Sequence, residues 1–222
     1  GLILHVSGGT NTSNPSTVAN CMIYNNEGIY IAKATGGVAT PAYSGIVTLD
    51  AAGTTGSDSL INCVIAYNKA TNLQSAGLAI RRATTENHFV FNNVMWNNYM
   101  SDGTTLNNFY HNGGTTTTSI IKGNIINAGG FFPDDDVTHF EKNLRDLSSN
   151  NNSGNAPLFK VPTSISGNNA DGSVELADWR ILENSYLGGK GVSTTILTDF
   201  DGIDYNTTPA VGAFELPSST IL

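Results

Sequence analysis

The sequence predicts an all-β protein, specifically a right-handed parallel β-helix of about four coils with an irregular C-terminal cap. Composition is the first observation behind this prediction. Gly, Asn and Thr number 24, 27 and 25 among 222 residues, and only 13% of residues are charged. These residues suit turns and strands better than helices. A hydrophobic content of 39% is enough to bury a core.

The second observation is an internal repeat. Four similar segments begin at positions 20, 62, 92 and 123, so their starts are separated by 42, 30 and 31 residues. The segments are Asn20–Asn26, Asn62–Asn68, Asn92–Asn98 and Gly123–Asn127. Another strand-like segment precedes each of them by 15 to 19 residues, beginning at Gly1, Gly45, Gly77 and Asn107. A solenoid coil of about 30 residues that gives strands to separate sheets explains both recurrences.

Alternation along a strand assigns the side chains of each repeat to the inside or the outside of the stack. The predicted interior ladder is Cys21, Ile23 and Asn25, then Cys63, Ile65 and Tyr67, then Asn93, Met95 and Asn97, then Asn124 and Ile126. The two cysteines become neighbours in this ladder, where we expect them buried and free rather than bridged. We expect Asn side chains at the bends to hydrogen-bond along the stack and to accept left-handed turns.

The predicted outward column is unusually apolar. It consists of Met22, Val64, Val94 and Ile125, followed two residues later by Tyr24, Ala66 and Trp96. Such a stripe is either covered by the tail of the chain or available to a partner. If it is exposed, Trp96, Tyr24 and Tyr99 are the candidate ligand-binding residues, since aromatic faces stack on sugar rings.

The predicted division is into coils over 1–130 and a capping region over 131–222, packed together as one continuous domain. Within the cap we expect a short helix over Val137–Ser149 and a last strand over Val211–Leu216. The stretch Glu27–Ser44 contains a strand-like segment that starts at Gly28, and it reads as an insertion that protrudes as a loop, with a binding face as the alternative. The first coil lacks a cap, so we expect further N-terminal coils or domains of the same protein, or a partner, to cover it.

The coils resemble the repeats of pectin-lyase-like parallel β-helix proteins. The tail resembles the C-terminal region of choice-of-anchor-type bacterial surface proteins, through Asn155–Phe159, Asp178–Leu182, Gly188–Val192, Asp199–Gly202 and Pro209–Glu215. The resemblance implies the fold and a secreted or cell-surface location. It does not imply a reaction, because this fold carries lyases, hydrolases and non-catalytic proteins alike.

Charge and hydropathy exclude two classes of partner. A net charge of −8 and a pI near 4.7 argue against nucleic acid, which requires clustered Lys and Arg. No apolar run approaches the ~20 residues that cross a bilayer, so we expect no transmembrane segment. The expected partner is a polysaccharide or a host or cell-surface glycan.

Two groups of residues could carry chemistry. Arg81 and Arg82 lie on a coil strand and are the candidate catalytic residues for a polysaccharide lyase. Asp199, Asp201 and Asp204 could surround Ca²⁺, but their spacing is not that of an EF-hand and fits a turn before the last strand. We therefore expect no cofactor, with Ca²⁺ as the alternative.

Three functions stay open at this level. The first is a secreted or cell-surface module that binds glycans or mediates adhesion without catalysis of its own. The second is a polysaccharide lyase or glycoside hydrolase whose active site lies partly in further N-terminal coils. The third is a structural spacer.

Overall fold

The structure is a computed structural model, and it describes twelve stretches of the chain. They are residues 2–6, 17–29, 45–51, 58–81, 88–111, 119–127, 130–131, 144–145, 159–161, 178–183, 185 and 187–216. All secondary structure within them is β-strand, turn or bend.

The strands are short and follow one another in the order expected for a solenoid. They are β1 (Leu2–Val6), β2 (Thr17–Ala19), β3 (Met22–Tyr24), β4 (Glu27–Ile29), β5 (Val47–Ala51), β6 (Ser59–Ile61), β7 (Val64–Ala66), β8 (Lys69–Thr71), β9 (Leu78–Arg81), β10 (Phe89–Phe91), β11 (Val94–Trp96), β12 (Tyr99–Met100), β13 (Phe109–His111), β14 (Ile120–Lys122), β15 (Ile125–Ile126), β16 (Gly130–Phe131), β17 (Leu144–Arg145), β18 (Phe159–Val161) and β19 (Asp178–Ile181).

Four parallel sheets form the sides of the stack. Sheet A has the order β1-β5-β9-β13-β16, and sheet B has the order β2-β6-β10-β14. Sheet C has the order β3-β7-β11-β15-β17, and sheet D has the order β4-β8-β12. The chain visits A, B, C and D in turn and then returns to A, so each circuit is one coil. This confirms the predicted all-β parallel β-helix.

The sequence repeat revealed only half of the strands in each coil. The recurring segments correspond to sheets A and C, and the predicted strands at positions 45, 77 and 107 become β5, β9 and β13. Sheets B and D were not recognised, because their three-residue strands lie directly beside the Asn turns and look like part of the repeat. Glu27–Ile29 was assigned to a protruding insertion, but it forms β4, which pairs in register with β8. The rest of that insertion, residues 30–44, lies outside the described residues.

Left-handed turns connect sheet B to sheet C and sheet C to sheet D. The B–C turn is made by Asn20, Asn62 and Asn92, with φ of 54°, 55° and 53°, and by a glycine in the last coil. The C–D turn is made by Asn25, Tyr67 and Asn97, with φ of 55°, 54° and 49°. Asn tolerates this conformation better than most residues, which explains its recurrence at these two corners.

The C–D turn corrects the predicted interior ladder. Asn25, Tyr67 and Asn97 were placed inside by simple alternation, but the left-handed backbone turns each of them out of the interior. The next residue occupies the inside position instead, as Asn26, Asn68 and Asn98. The remaining predicted interior residues are correct where the structure describes them. Cys63, Ile65, Met95 and Ile126, for example, are fully buried in the interior cluster.

Interior amides form continuous ladders that run through the stack. The first ladder is Asn26, Asn68, Asn98, Asn108 and Asn127, joined by side-chain Nδ2–Oδ1 hydrogen bonds of 3.0, 2.9, 2.7 and 2.9 Å. A second ladder stacks the cysteines over Asn93 and Asn124, whose amides are 2.9 Å apart. Buried amides must find partners, and here the neighbouring coil supplies them. The predicted hydrogen bonding of Asn along the stack is confirmed.

The two cysteines are free, as predicted. Cys63 is fully buried, and burial raises the pKa of its thiol to about 12. Cys21, one coil earlier, is only partly buried. This difference between equivalent positions is the first sign that the initial coil is less covered than the others.

The tail differs from the prediction in two places. Leu144–Arg145 lies within the expected helix Val137–Ser149 but forms β17, which pairs with β15 in parallel; the other residues of that span lie outside the described residues. Val211–Leu216 is not a strand, although it is largely buried. Gly212 has φ of 100°, a value that interrupts an extended chain.

The tail covers the outer face of sheet C. A second hydrophobic cluster joins the outward residues of the coils to the tail; it includes Val64, Ala66, Tyr67, Val94, Tyr99, Ile125, Phe159, Trp179, Ile181, Leu187, Ala210, Val211, Ala213 and Phe214. The apolar outward column is therefore covered by the chain itself, one of the two alternatives that the sequence left open. Met22, in the first coil, stays 38% exposed. No helix within the described ranges has the length and apolar character to cross a bilayer.

Candidate functional site

The predicted aromatic platform lies at the junction of sheet C with the tail. Trp96 contacts Phe159 edge to face, with ring centroids 5.0 Å apart, and Trp179 at 6.0 Å. Tyr99 is 5% exposed, and Tyr24 is half-buried against the same cluster. The structure brings the three residues together, but mainly as packing partners of the tail. Ligand contact by these side chains stays a prediction.

The aspartates proposed for Ca²⁺ have separate surroundings. Asp199 is buried, and its carboxylate accepts backbone N–H bonds of 2.8 Å from both Ile203 and Glu215. Asp201 is exposed and faces the guanidinium of Arg180 at 3.8 Å, and Asp204 is also exposed. No group of three potential metal ligands occurs within the described stretches.

Asp199 and Glu215 instead connect the segments Asp199–Gly202 and Pro209–Glu215 of the tail through hydrogen bonds to the backbone. The Glu215 carboxylate accepts the backbone N–H of Ala210 at 3.1 Å and of Leu216 at 2.8 Å. Tyr205 lies beside both acids, and burial together with their charges raises the pKa of its hydroxyl well above the ordinary value. Carboxylates that accept backbone bonds act as internal braces for a loop, and this arrangement fits the predicted turn.

The arginine pair is only partly described. Arg81 ends β9, and its Cα partner in β5 is Asp50. Asp50 is in turn the Cα partner of His5 in β1. Three ionisable residues thus share one register position on adjacent strands of sheet A. Arg82 lies outside the described residues.

A polar cluster is buried at the corner between sheets A and B. Asp58 and His88 occupy equivalent positions immediately before β6 and β10, and Ser119 occupies the same position before β14. All three are fully buried, and His111 at the end of β13 is 1% exposed. The Nδ1 of His88 lies 3.9 Å from Oδ2 of Asp58. The cluster faces the inside of the stack, which makes a structural role the better explanation.

The outer face of sheet B carries an aromatic pair that sequence reasoning missed. On β10, Val90 is fully buried, whereas Phe89 and Phe91 on either side of it are half-buried. Their ring centroids are 5.9 Å apart. Phe89 lies in register between Ser59 and Ile120, and Phe91 between Ile61 and Lys122. Recognising sheet B as a separate strand would have revealed this alternation.

A shallow pocket lies within the tail itself. Its volume is about 390 Å³, and its lining includes Thr194, Leu197, Asp204 and Tyr205. Leu197 is 75% exposed, so the pocket is open to solvent on that side.

The fold and these faces define the class of protein: a parallel β-helix with a tail packed along one side. Comparison of the chain with protein-family models, with curated proteins and with solved structures finds no match.

Proposed function

We propose that this chain is a secreted or cell-surface β-helix module that binds a glycan without catalysis of its own. The observation that supports the proposal is the Phe89–Phe91 pair on the outer face of sheet B. Two neighbouring half-buried rings on the outer face of one strand offer an apolar surface of the kind that packs against the C–H face of a pyranose. The pectin-lyase-like and bacterial surface-protein resemblance favours the same location.

Polar side chains beside the rings supply the second requirement of sugar recognition. The outward neighbours along sheet B include Thr17, Ser59 and Lys122, which offer two hydroxyls and an ammonium group. Sugar hydroxyls need such hydrogen-bonding groups around a stacked ring. The face therefore combines stacking with polar contacts at its edge.

The charge of the chain favours a neutral glycan. A net charge of −8 repels an anionic polysaccharide at long range, since like charges slow encounter and weaken binding. We expect neutral polysaccharides to bind and acidic ones such as pectate to bind weakly. A neutral complex also predicts that affinity changes little between low and high salt.

The test is titration calorimetry with soluble neutral and acidic polysaccharides, on the parent chain and on Phe89→Ala and Phe91→Ala. We expect each substitution to weaken binding about tenfold, or about 1.4 kcal/mol. Tyr110→Ala is the matched control, because Tyr110 is a half-buried aromatic residue on sheet A. Equal binding by the parent and both Phe variants would exclude this face.

Trp96→Ala distinguishes the two aromatic surfaces. If Trp96→Ala abolishes binding while leaving the circular dichroism spectrum unchanged, the ligand lies at the junction of sheet C and the tail. If no glycan binds the parent chain, the module is better explained as a spacer.

The register of Arg81, Asp50 and His5 favours a second candidate function, a polysaccharide lyase or hydrolase. Ionisable residues at one register position on neighbouring coils are what acid–base catalysis on this fold would require. The test is the release of unsaturated or reducing ends from polysaccharides by the parent chain, with Arg81→Ala and Asp50→Asn as variants. Activity lost in both variants would replace the binding proposal.

A further inference from the structure

The first coil has an exposed edge on the side away from the second coil. In the coils that follow, the equivalent side is covered by the preceding coil. The strands β2, β3 and β4 of the first coil are each the terminal strand of their sheets. Interior residues that are fully buried in the second coil, Leu60 and Cys63, correspond to Val18 and Cys21 here, which are only partly buried. Ile29 at the end of β4 is 61% exposed.

Backbone donors point out of this edge at regular positions. In the second coil, the N–H of Val64 donates to the Cys21 carbonyl at 2.9 Å, and the N–H of Lys69 donates to the Asn26 carbonyl at 2.8 Å. The equivalent donors in the first coil are Met22 and Glu27. Neither N–H donates a hydrogen bond within the part of the chain that the structure describes.

The first asparagine ladder places a hydrogen-bond acceptor at this edge. Asn26 donates from its backbone N–H and from Nδ2 to Oδ1 of Asn68, each at 3.0 Å, and Asn68 donates in the same two ways to Asn98. Both of these links run from one coil to the next, and the Oδ1 of Asn68 and of Asn98 accepts from the preceding coil. Oδ1 of Asn26 is the ladder acceptor at the start of this series, and no described residue donates to it.

A second hydrogen bond, from the side-chain Nδ2 to a backbone carbonyl, also distinguishes Asn26 from the ladder residues of later coils. Asn68 and Asn98 donate to the carbonyls of Ile23 and Ile65 in their preceding coils, at 3.0 and 2.9 Å. Asn26 instead donates to the Tyr24 carbonyl of its own coil at 2.9 Å. The local geometry of Asn26 is thus that of a ladder residue whose preceding partner is replaced by a contact within its own turn.

We propose that the edge formed by β2, β3 and β4 is a docking surface for one further coil of parallel β-helix. That coil supplies carbonyls to the N–H groups of Met22 and Glu27, and an Asn-type N–H pair to Oδ1 of Asn26. Its apolar interior side chains continue the column above Val18 and Ile23. The argument for this occupant is continuity, because the same contacts join the first coil to the second and the second coil to the third.

A second copy of the chain fits the edge less well. Two first coils meeting head to head would pair their strands antiparallel, whereas the first and second coils pair in parallel. A coil of the same direction supplies donors where the edge has acceptors.

The direct test adds one coil before β1. One copy of residues 47–77 is placed immediately before Leu2, with Cys63→Ala in the copy, so that the chain continues into β1 as it normally continues into β9. We expect the labelling of Cys21 by a thiol reagent to become at least tenfold slower than in the parent chain. The matched control carries Leu60→Asp and Ile65→Asp in the copy, which removes its interior packing, and should label at the parent rate.

Hydrogen exchange on the parent chain gives an independent measurement. The amides of Met22 and Glu27 should exchange at least tenfold faster than those of Val64 and Lys69. Equal protection of the two pairs, or an added coil that leaves Cys21 as reactive as before, would overturn the proposal. Cys21 protection that grows with the concentration of the unextended chain would assign the edge to a second copy instead.

Discussion

Single interior asparagines connect one coil to the next, and Asn68 is hydrogen-bonded to residues of both neighbouring coils. Asn68→Ala removes the acceptor for Asn26 and a donor to both Ile23 and Asn98. Buried groups left without partners cost about 1–3 kcal/mol each, and we expect a loss of roughly 2–3 kcal/mol in the free energy of unfolding. Urea denaturation followed by circular dichroism measures it.

The control for Asn68→Ala is Asn206→Ala, at an exposed position in the tail. This substitution should change the unfolding free energy by less than about 0.5 kcal/mol. Similar losses at both positions would mean that the ladder contributes no more than a surface amide.

His111 is expected to make the free energy of unfolding depend on pH. Burial, together with the nearby charge of His88, lowers the pKa of His111 from 6.5 to about 4. The unfolded chain therefore takes up a proton between these values while the folded chain does not. Stability is complete above about pH 6.5 and falls as the pH drops toward 4, by about 2 kcal/mol at pH 4.5.

Urea denaturation at a series of pH values tests the effect of His111. In His111→Leu, the part of the acid-dependent loss due to this residue should disappear between pH 6.5 and 4.5. Asp58 and His88 lie in the same corner and stay in place in this variant. An unchanged pH profile would show that His111 is protonated as easily in the folded chain as in the unfolded one.

At the scale of the element, the turn that begins at Asp199 is expected to depend on one carboxylate. Asp199→Asn replaces one of the two oxygens that accept N–H bonds from Ile203 and Glu215 with a donor. We expect the free energy of unfolding to fall by about 1–3 kcal/mol. Asp201→Asn, an exposed position in the same turn, is the matched control and should be nearly neutral.

Calcium can be examined with the same two variants. Both carboxylate oxygens of Asp199 already accept backbone N–H bonds, so they are not free to bind Ca²⁺. We therefore expect the melting temperature of the parent chain to be equal in EDTA and in millimolar Ca²⁺. A rise with Ca²⁺ that is lost in Asp201→Asn would restore the metal site as an explanation.

The elements also show what sequence reasoning could and could not reach. The repeat located sheets A and C, because Asn, Cys and Ile recur there at intervals near 30 residues. It could not separate sheets B and D, since a three-residue strand has almost no period of its own. Alternation failed at Tyr67, where a left-handed turn reverses the direction of the side chain. Phe89 and Phe91 were missed for the first of these reasons, because they lie on a strand of sheet B.

At the scale of the whole molecule, Trp179 joins the tail to the coils. It is 2% exposed and lies 5.3 Å from Phe159, and 6.0 Å from both Tyr67 and Trp96, measured between ring centroids. Trp179→Ala should cost about 3–5 kcal/mol. We expect the tail to unfold before the coils, so that one denaturation transition becomes two.

Arg180→Ala is the control for Trp179→Ala, because its exposed side chain bonds mainly to Asp178 next to it. Limited proteolysis of Trp179→Ala gives a second measurement. Under conditions in which only the tail is unfolded, the protease should cut the tail and leave the coils intact. A single transition in Trp179→Ala, shifted but not divided, would mean that coils and tail form one cooperative unit.

The asparagine ladder also has an electrical consequence. Along a parallel sheet the backbone dipoles largely cancel, but the side-chain amides of Asn26, Asn68, Asn98 and Asn108 each donate to the next amide of the row. Aligned amides polarise one another, so a link in the middle of the row is stronger than a link at its end. The interior therefore carries an axial dipole whose negative end is Oδ1 of Asn26. Each coil added there would lengthen the row and strengthen the bonds already made.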